Sequence, residues 1–261
     1  MQLRAVPPHK AARQHIMDKT VLDAMARWPN VPDVYGWLSL NEHGHWRLHP
    51  LGDALRADAA TGTIPMGEAI TSPPILQFIS RNYACDAQGQ WFFQNGPQRV
   101  YVRLDAAPFI LHTAGNHGSN SGGAPPLRTQ NGLDAGRVRR WLLASDGRLY
   151  ADADAGPGLI EGRDLEAVLD RLRTPDGAAL LDTLDGDTSH ATRIMILSQD
   201  AAGVEPTACP AIARNVPPSA PGLTAQGGAK QGAVRVPLDF CPADDVPAQL
   251  GFVRYPRPPA S

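Results

Sequence analysis

The chain has 261 residues, with 24 Lys plus Arg against 26 Asp plus Glu and a formal net charge of −2 at pH 7. That balance supplies no field for nucleic acid or anionic membranes, and no run of about 18 apolar residues offers a membrane span. An apolar share of 43% and a charged share of 19% are those of a globular protein, able at this length to bury roughly three quarters of its unfolded surface.

Residues 1–16 are basic, with Pro7-Pro8 and no apolar periodicity. They are expected to form an arm, or to be an upstream extension if Met17 rather than Met1 is the true start. They lack the apolar stretch of about seven or more residues that a secretory signal requires. Cys85, Cys209 and Cys241 are too few and too scattered for a disulfide framework. The expected compartment is the cytoplasm.

Asp18 is placed to cap a short helix reaching Trp28, with Val21, Leu22, Met25 and Trp28 along one side, and Pro29 and Pro32 stop it. A hairpin follows from Tyr35 to His49, where Leu38 and Leu40 alternate with polar neighbours. Leu51 to Met66 is rich in Ala, Asp and Gly and reads as an inserted loop. Ser72-Pro73-Pro74 opens a helix with Ile75, Phe78, Ile79 and Asn82 on one face. That helix leads into a second hairpin. Beyond it, Trp91 and Phe93 share one strand parity, and Val100, Val102 and Leu104 share another. Pro97 has no N–H with which to close an Asn-Gly turn, so a four-residue connection is expected, pairing Phe93 with Val100 and Trp91 with Val102. The opposite face then carries Phe92, Arg99, Tyr101 and Arg103.

His112 to Gly136 reads as a loop, Gly- and Ser-rich at first and turn-rich afterwards. A third hairpin begins at Arg139. Leu165, Val168, Leu169 and Leu172 are spaced for one buried helical stripe. Thr174-Pro175 caps a further short helix from Ala178 to Leu184. Thr192 to Leu197 is expected as a strand. Gln199 to Gly232 is Pro- and Gly-rich, Val234 to Leu238 and Gln249 to Tyr255 are expected as closing strands, and Pro256 to Ser261 as a frayed end.

Three of these stretches share one pattern: Trp37 to Leu48 around Gly44, Tyr83 to Phe93 around Gly89, and Trp141 to Tyr150 around Gly147. Each runs from an aromatic residue through a short strand and a polar turn ending in Gly to a second strand. Such self-similarity points to a duplicated scaffold. The expected class is α+β, two similar halves of antiparallel β-hairpins packed with short helices. The expected organisation is an arm and short helix at 1–34, a first half at 35–113, a linker at 114–136, a second half at 137–197, and a loop-rich C-terminal segment at 198–261 packing on the halves.

Phe78-Ile-Ser-Arg-Asn-Tyr83, Asp86-Ala-Gln-Gly-Gln-Trp-Phe-Phe93, Pro97-Gln-Arg-Val-Tyr-Val102 and Asp105-Ala-Ala-Pro-Phe109 resemble the signature of an uncharacterised bacterial domain-of-unknown-function family. Gly44 and Trp46 match the upstream G-x-W hairpin of such proteins. The resemblance spans roughly Tyr35 to Leu172. It implies an α+β fold of two similar halves and a role in ligand binding or signal-related interaction. Leu51 to Met66 interrupts the family's short link, and residues past Leu184 align with nothing in it.

Arg99, Tyr101 and Arg103, beside Phe92, set two guanidinium groups among aromatic rings, an arrangement suited to a carboxylate or phosphate. The same residues on a solvent face would stack arginine stems over rings. Asp105 is placed to accept backbone hydrogen bonds in a turn, or to act as a catalytic carboxylate. His112, His117 and Ser119 or Ser121 include a base and a nucleophile type, without the spacing of a G-x-S-x-G elbow. Asp152-Ala-Asp154-Ala-Gly156 lacks the Glu of a calcium loop, and Asp182, Asp185 and Asp187 read as a turn. Cys209, Cys241 and His190 lack zinc-site spacing. No metal and no cofactor are expected.

The leading expectation is a non-catalytic module that holds a small anionic ligand, or a protein partner's peptide, near Arg99, Tyr101 and Arg103 at the seam between the halves. Phe92, Asp105 and His112 complete the candidate ligand-binding set, and a regulatory or signalling role follows from the resemblance. The alternative is a hydrolase or transferase using His112 or Asp105 in one cleft. Oligomeric state is left open.

Overall fold

Apolar residues at every second position of two strands, Leu38 and Leu40 on one and Val102 and Leu104 on its neighbour, give the first sheet its buried face. The computed structural model describes residues 18–57, 62–114, 126–174, 176–184, 194–199 and 233–259. The expectations for residues 1–16, His117, Ser119, Ser121, Asp185, Asp187, His190, Cys209 and most of 198–261 up to 232 lie outside these residues.

Strands β1 (Val34–Leu40), β2 (Trp46–Leu48), β3 (Glu68–Ala69), β4 (Tyr83–Cys85), β5 (Trp91–Asn95) and β6 (Gln98–Leu104) form one sheet in the order β3-β2-β1-β6-β5-β4. Strands β7 (Phe109–Thr113), β8 (Leu127–Thr129), β9 (Val138–Ala144), β10 (Leu149–Ala153), β11 (Gly156–Ile160), β12 (Ile194–Gln199) and β13 (Ala233–Cys241) form a second, ordered β12-β13-β9-β10-β11-β7-β8. The described helices are short: α1 (Lys19–Arg27), α2 (Pro73–Arg81), α3 (Gly162–Leu169), α4 (Leu180–Leu184) and α5 (Val246–Leu250). The fold is α+β and mostly sheet. None of these helices is long and apolar enough to cross a membrane.

The two sheets share a topology. In each, a hairpin precedes a three-stranded antiparallel meander, and the last strand of the meander returns parallel to the first strand of the hairpin: β6 beside β1, β11 beside β7. The order β2-β1-β6-β5-β4 therefore recurs as β8-β7-β11-β10-β9. Of the three similar hairpins, Tyr83–Phe93 and Trp141–Tyr150 hold equivalent places, each opening a meander. The hairpin at Trp37–Leu48 instead corresponds to β7 and β8. The chain changes sheets between Leu104 and Phe109, inside the stretch 35–113 that sequence assigns to the first half.

Phe93 pairs with Val100 as expected. The strands run on to an Asn95–Gln98 pair, so Gly96 and Pro97 close the turn in two residues rather than four, Gly96 taking φ +58°. The closing position belongs to Gln98, which has the N–H that Pro97 lacks. Strand β8 lies within the stretch 112–136 expected as loop. Strand β11, which sequence reading did not single out, has all five of its residues buried. Its glycines are required by close packing. A Cβ on Gly158 would fall 2.6 Å from Leu111 Cγ, and one on Gly156 would fall 3.0 Å from the Phe109 ring. Gln249 to Tyr255 is not a strand. Pro247 opens α5, Gly251 ends it in the left-handed region at φ +70°, and the tail runs on without pairing as a strand. Asp18 precedes α1 but makes no side-chain cap there; its carboxylate accepts from Arg81 Nε at 3.1 Å and from Asn82, tying α1 to the end of α2.

One apolar core joins the sheets. Between them Tyr83 and Trp91 from the first sheet meet Phe109 from the second, with centroid separations of 5.8 and 5.2 Å, both edge to face. Trp46 meets the edge of Tyr83 at 5.1 Å. After β13 the tail returns to the first sheet. Val253 N–H donates to Gly89 O at 3.0 Å and Leu104 N–H to Arg254 O at 2.9 Å.

Candidate functional site

Because side chains alternate along β6, Tyr101 and Arg103 point away from the core that Val102 and Leu104 enter. Neither is on open solvent. Tyr101 is buried, stacked on Tyr35 at 4.5 Å with the rings nearly parallel, and its hydroxyl donates to Asp86 at 3.1 Å. Burial pushes the Tyr35 phenol up to about 12 and raises that of Tyr101 as well, so both rings stay neutral at physiological pH. Arg99 lies over the buried Phe92 ring at 4.7 Å and lines a small cavity of about 270 Å³ together with Asp33 and Trp28.

Arg103 is buried and makes four hydrogen bonds. Nε donates to Asp105 at 2.9 Å, Nη1 to Ala54 O at 2.7 Å and Pro65 O at 3.0 Å, and Nη2 to Ser39 Oγ at 3.4 Å. The segment after β2 therefore closes over this face of the sheet, and Arg103 is the post to which it is tied.

Beneath that segment lies an arrangement that sequence reading passed over. Ser39 Oγ is 2.9 Å from His49 Nε2, and His49 Nδ1 is 3.3 Å from Asp53 Oδ1. Ser39 Oγ also accepts from Arg103 Nη2, and the His49 tautomer sets which of Ser39 and His49 donates in their bond. The order of groups is that of a Ser-His-Asp relay, but His49 Nδ1 makes no hydrogen bond to Asp53 among the described residues. Ser39 and His49 are nevertheless wholly buried, and Arg103 packs on the hydroxyl. These contacts tie β1, the end of β2 and the covering segment together. Burial first, and then the Arg103 charge, hold the His49 imidazole below its ordinary 6.5. The unfolded chain thus takes up this proton at a higher pH than the folded protein does. The His49 contribution to stability is intact above about 6.5 and is lost as the pH falls from there toward the lower folded value. Thermal melts across this range should show that loss in the wild type and a flatter profile in His49→Gln; an unchanged profile in the variant would assign the slope elsewhere.

His112 lies in the second sheet, away from the Arg103 network. Among the described residues no hydrogen bond or ion pair joins it to Arg99, Tyr101, Arg103 or Asp105. Instead, the parallel pairing of Ile160 with Leu111 sets the end of β7 beside the start of α3. His112 Nδ1 is there 3.2 Å from Glu161 Oε2 and 3.5 Å from Asp164 Oδ2. Arg163 Nη2 lies 3.1 Å from His112 Nδ1, and Arg163 Nε contacts Glu161. Thr113 Oγ1 donates to Asp164 Oδ1 at 2.8 Å. Glu161 and Asp164 were not singled out by sequence; the signal is their i, i+3 spacing at a helix start.

A cavity of about 500 Å³ opens between α2 and the first sheet. Ile75 and Ile79 form its helical wall, while Leu38, Leu48, Phe93 and Val100 line the sheet side and Trp37 the rim. Its polar lining consists of two neutral amides, Asn95 and Gln98. Trp37, Leu48 and Ile75 remain 45%, 41% and 50% exposed around it. A second cavity of about 420 Å³ lies where α2 and Gly44 face the Gln130–Leu133 turn of the second sheet. Arg81 lines that cavity and is paired with Asp18.

The DUF2944 family model, described as "Protein of unknown function (DUF2946)", matches residues 17–257. No curated protein matches significantly. Two solved structures show similarity. One is a DUF1285 family protein from Silicibacter pomeroyi DSS-3, 18% identical, covering 64% of this chain and 83% of that one with a TM-score of 0.41. The other is a DUF1285 family protein from Shewanella baltica OS155, 14% identical, covering 51% of this chain and 89% of that one with a TM-score of 0.34.

Proposed function

Starting from the premise that the chain belongs to the DUF2944 family of proteins of unknown function, we propose that it is a binding module for a small, largely apolar and uncharged ligand seated between α2 and the first sheet. The observation that carries this reading is the apolar cavity of about 500 Å³, a volume typical of small-molecule sites. Three large apolar side chains left half in water around a single concavity are unfavourable in the free protein and favourable once covered. The lining has no charge to neutralise an anion and no nucleophile or base, which favours binding over catalysis. Asn95 and Gln98 can hydrogen-bond a hydroxyl or carbonyl at one end of the ligand. The anionic ligand expected at the Arg99 and Arg103 face is less well supported, because Arg103 already spends four of its five donors on Asp105, Ala54, Pro65 and Ser39.

The test uses 1-aminoanthracene, a neutral apolar fluorophore. Saturable emission enhancement is expected with the wild type. Ile75→Glu, a half-exposed position that tolerates the charge when unliganded, should weaken binding at least about tenfold by placing a carboxylate against the probe. Circular dichroism of the variant should be unchanged. Absence of saturable binding, or equal affinity in the folded variant, would refute this role.

A further inference from the structure

We propose that His112, Glu161 and Asp164 constitute a divalent-cation site of the zinc-binding type, separate from the apolar cavity, in which Arg163 acts as the resident competing cation. One ligand atom from each of the three residues lies within 4.8 Å of the other two. His112 Nδ1 lies 3.1 Å from Arg163 Nη2 and 3.2 and 3.5 Å from two carboxylate oxygens. Two carboxylates that converge on one imidazole nitrogen attract a positive charge. The Arg163 guanidinium supplies that charge, contacting Glu161 and His112 and approaching Asp164 Oδ2 at 3.9 Å. The chain itself thus shows that this constellation takes a cation.

Two further features separate the arrangement from an ordinary surface ion pair. The three ligand side chains are mostly buried and stand at the ends of β7 and α3, where the β7–β11 pairing and the Glu161 N–H to Leu111 O bond fix the backbone. Arg163, by contrast, is 70% exposed, so it can swing into water at little penalty when a metal ion displaces it. Asp164 is also oriented by Thr113 from behind, as carboxylate ligands of metal sites are. One imidazole and two carboxylates suit zinc or a neighbouring first-row divalent ion, and three protein ligands leave a position for a further donor. His43, whose Nδ1 is 3.9 Å from Glu161 Oε1, approaches from the β1–β2 turn of the other sheet.

The experiment is a zinc titration of the chelator-treated full chain against a competing chromophoric chelator. One equivalent is expected to bind. His112→Ala and Asp164→Asn should each weaken it at least about tenfold, and Thr113→Val by about tenfold through the lost orienting bond. Arg163→Ala should bind zinc more tightly than the wild type, an outcome that a purely structural ion-pair cluster does not produce. Circular dichroism establishes that each variant is folded, with Glu161→Gln as a second ligand variant should another fail. The proposal is overturned if neither the wild type nor Arg163→Ala takes up an equivalent of zinc, or if uptake survives in the folded His112 and Asp164 variants.

Discussion

Arg103→Met will lower folding stability by about 3 kcal/mol, within the range found when one partner of a buried, hydrogen-bonded charge is removed. The substitution leaves two carbonyls, Ala54 and Pro65, and the Ser39 hydroxyl without their donor under the covering segment, and each unsatisfied buried acceptor is destabilising by about 1–3 kcal/mol. Asp105 is about a third exposed and rehydrates, which keeps the total at the lower end. Methionine fills similar volume, so the effect isolates hydrogen bonding from packing. Arg103→Lys retains the charge but not the fork, and should fall between the two. Urea denaturation gives the free energy. Limited proteolysis adds the local readout: cleavage near the exposed Leu51 and Met66 should accelerate in Arg103→Met, because its guanidinium ties both flanks of that segment to β6. A loss under about 1 kcal/mol with unchanged cleavage would show that the segment is held by other contacts.

The same residue shows where the sequence was legible and where it was not. Alternation along β5 and β6 is strong, so the Phe93–Val100 register and the division of faces follow from the pattern of residues 91–104. The duplicated topology was also legible, through three hairpins with a Gly-terminated turn, although their true correspondence needed the sheet order. What alternation cannot say is whether the second face meets water. Arg103 and Tyr101 read as surface residues because charged and phenolic groups usually are, and the covering segment, weakly patterned and distant in sequence, gives no sign of where it folds back. Ser39 and His49 were hidden for the same reason: each is unremarkable until Arg103 and Asp53 are brought to it. Strand β11 failed on composition, since Gly156-Pro157-Gly158 carries turn residues whose actual role is to admit Phe109 and Leu111. The His112 cluster failed on spacing. Metal patterns are sought at short intervals, whereas residues 112, 161 and 164 are joined by a parallel strand pairing that no local window contains.

Phe109→Ala is expected to cost about 3–5 kcal/mol, the range for deleting a buried aromatic ring. Phe109 opens the second sheet, yet its ring packs edge-on against Tyr83 and Trp91 of the first. The cavity left behind cannot easily collapse, because the adjoining wall is the backbone of Gly156, whose missing Cβ is what lets the ring approach. Two consequences separate this from a generic core deletion. A double-mutant cycle with Trp91→Leu should give a coupling of about 0.5–1.5 kcal/mol, the excess that an edge-to-face pair carries beyond its buried area. The variant should also unfold in one transition shifted to lower urea, since a single apolar core joins the sheets. Two separated transitions would mean that each sheet is stable by itself and that the aromatic seam merely docks them. A loss below about 1 kcal/mol would mean that the seam repacks, and in either case the shared core would not be what holds the two copies together.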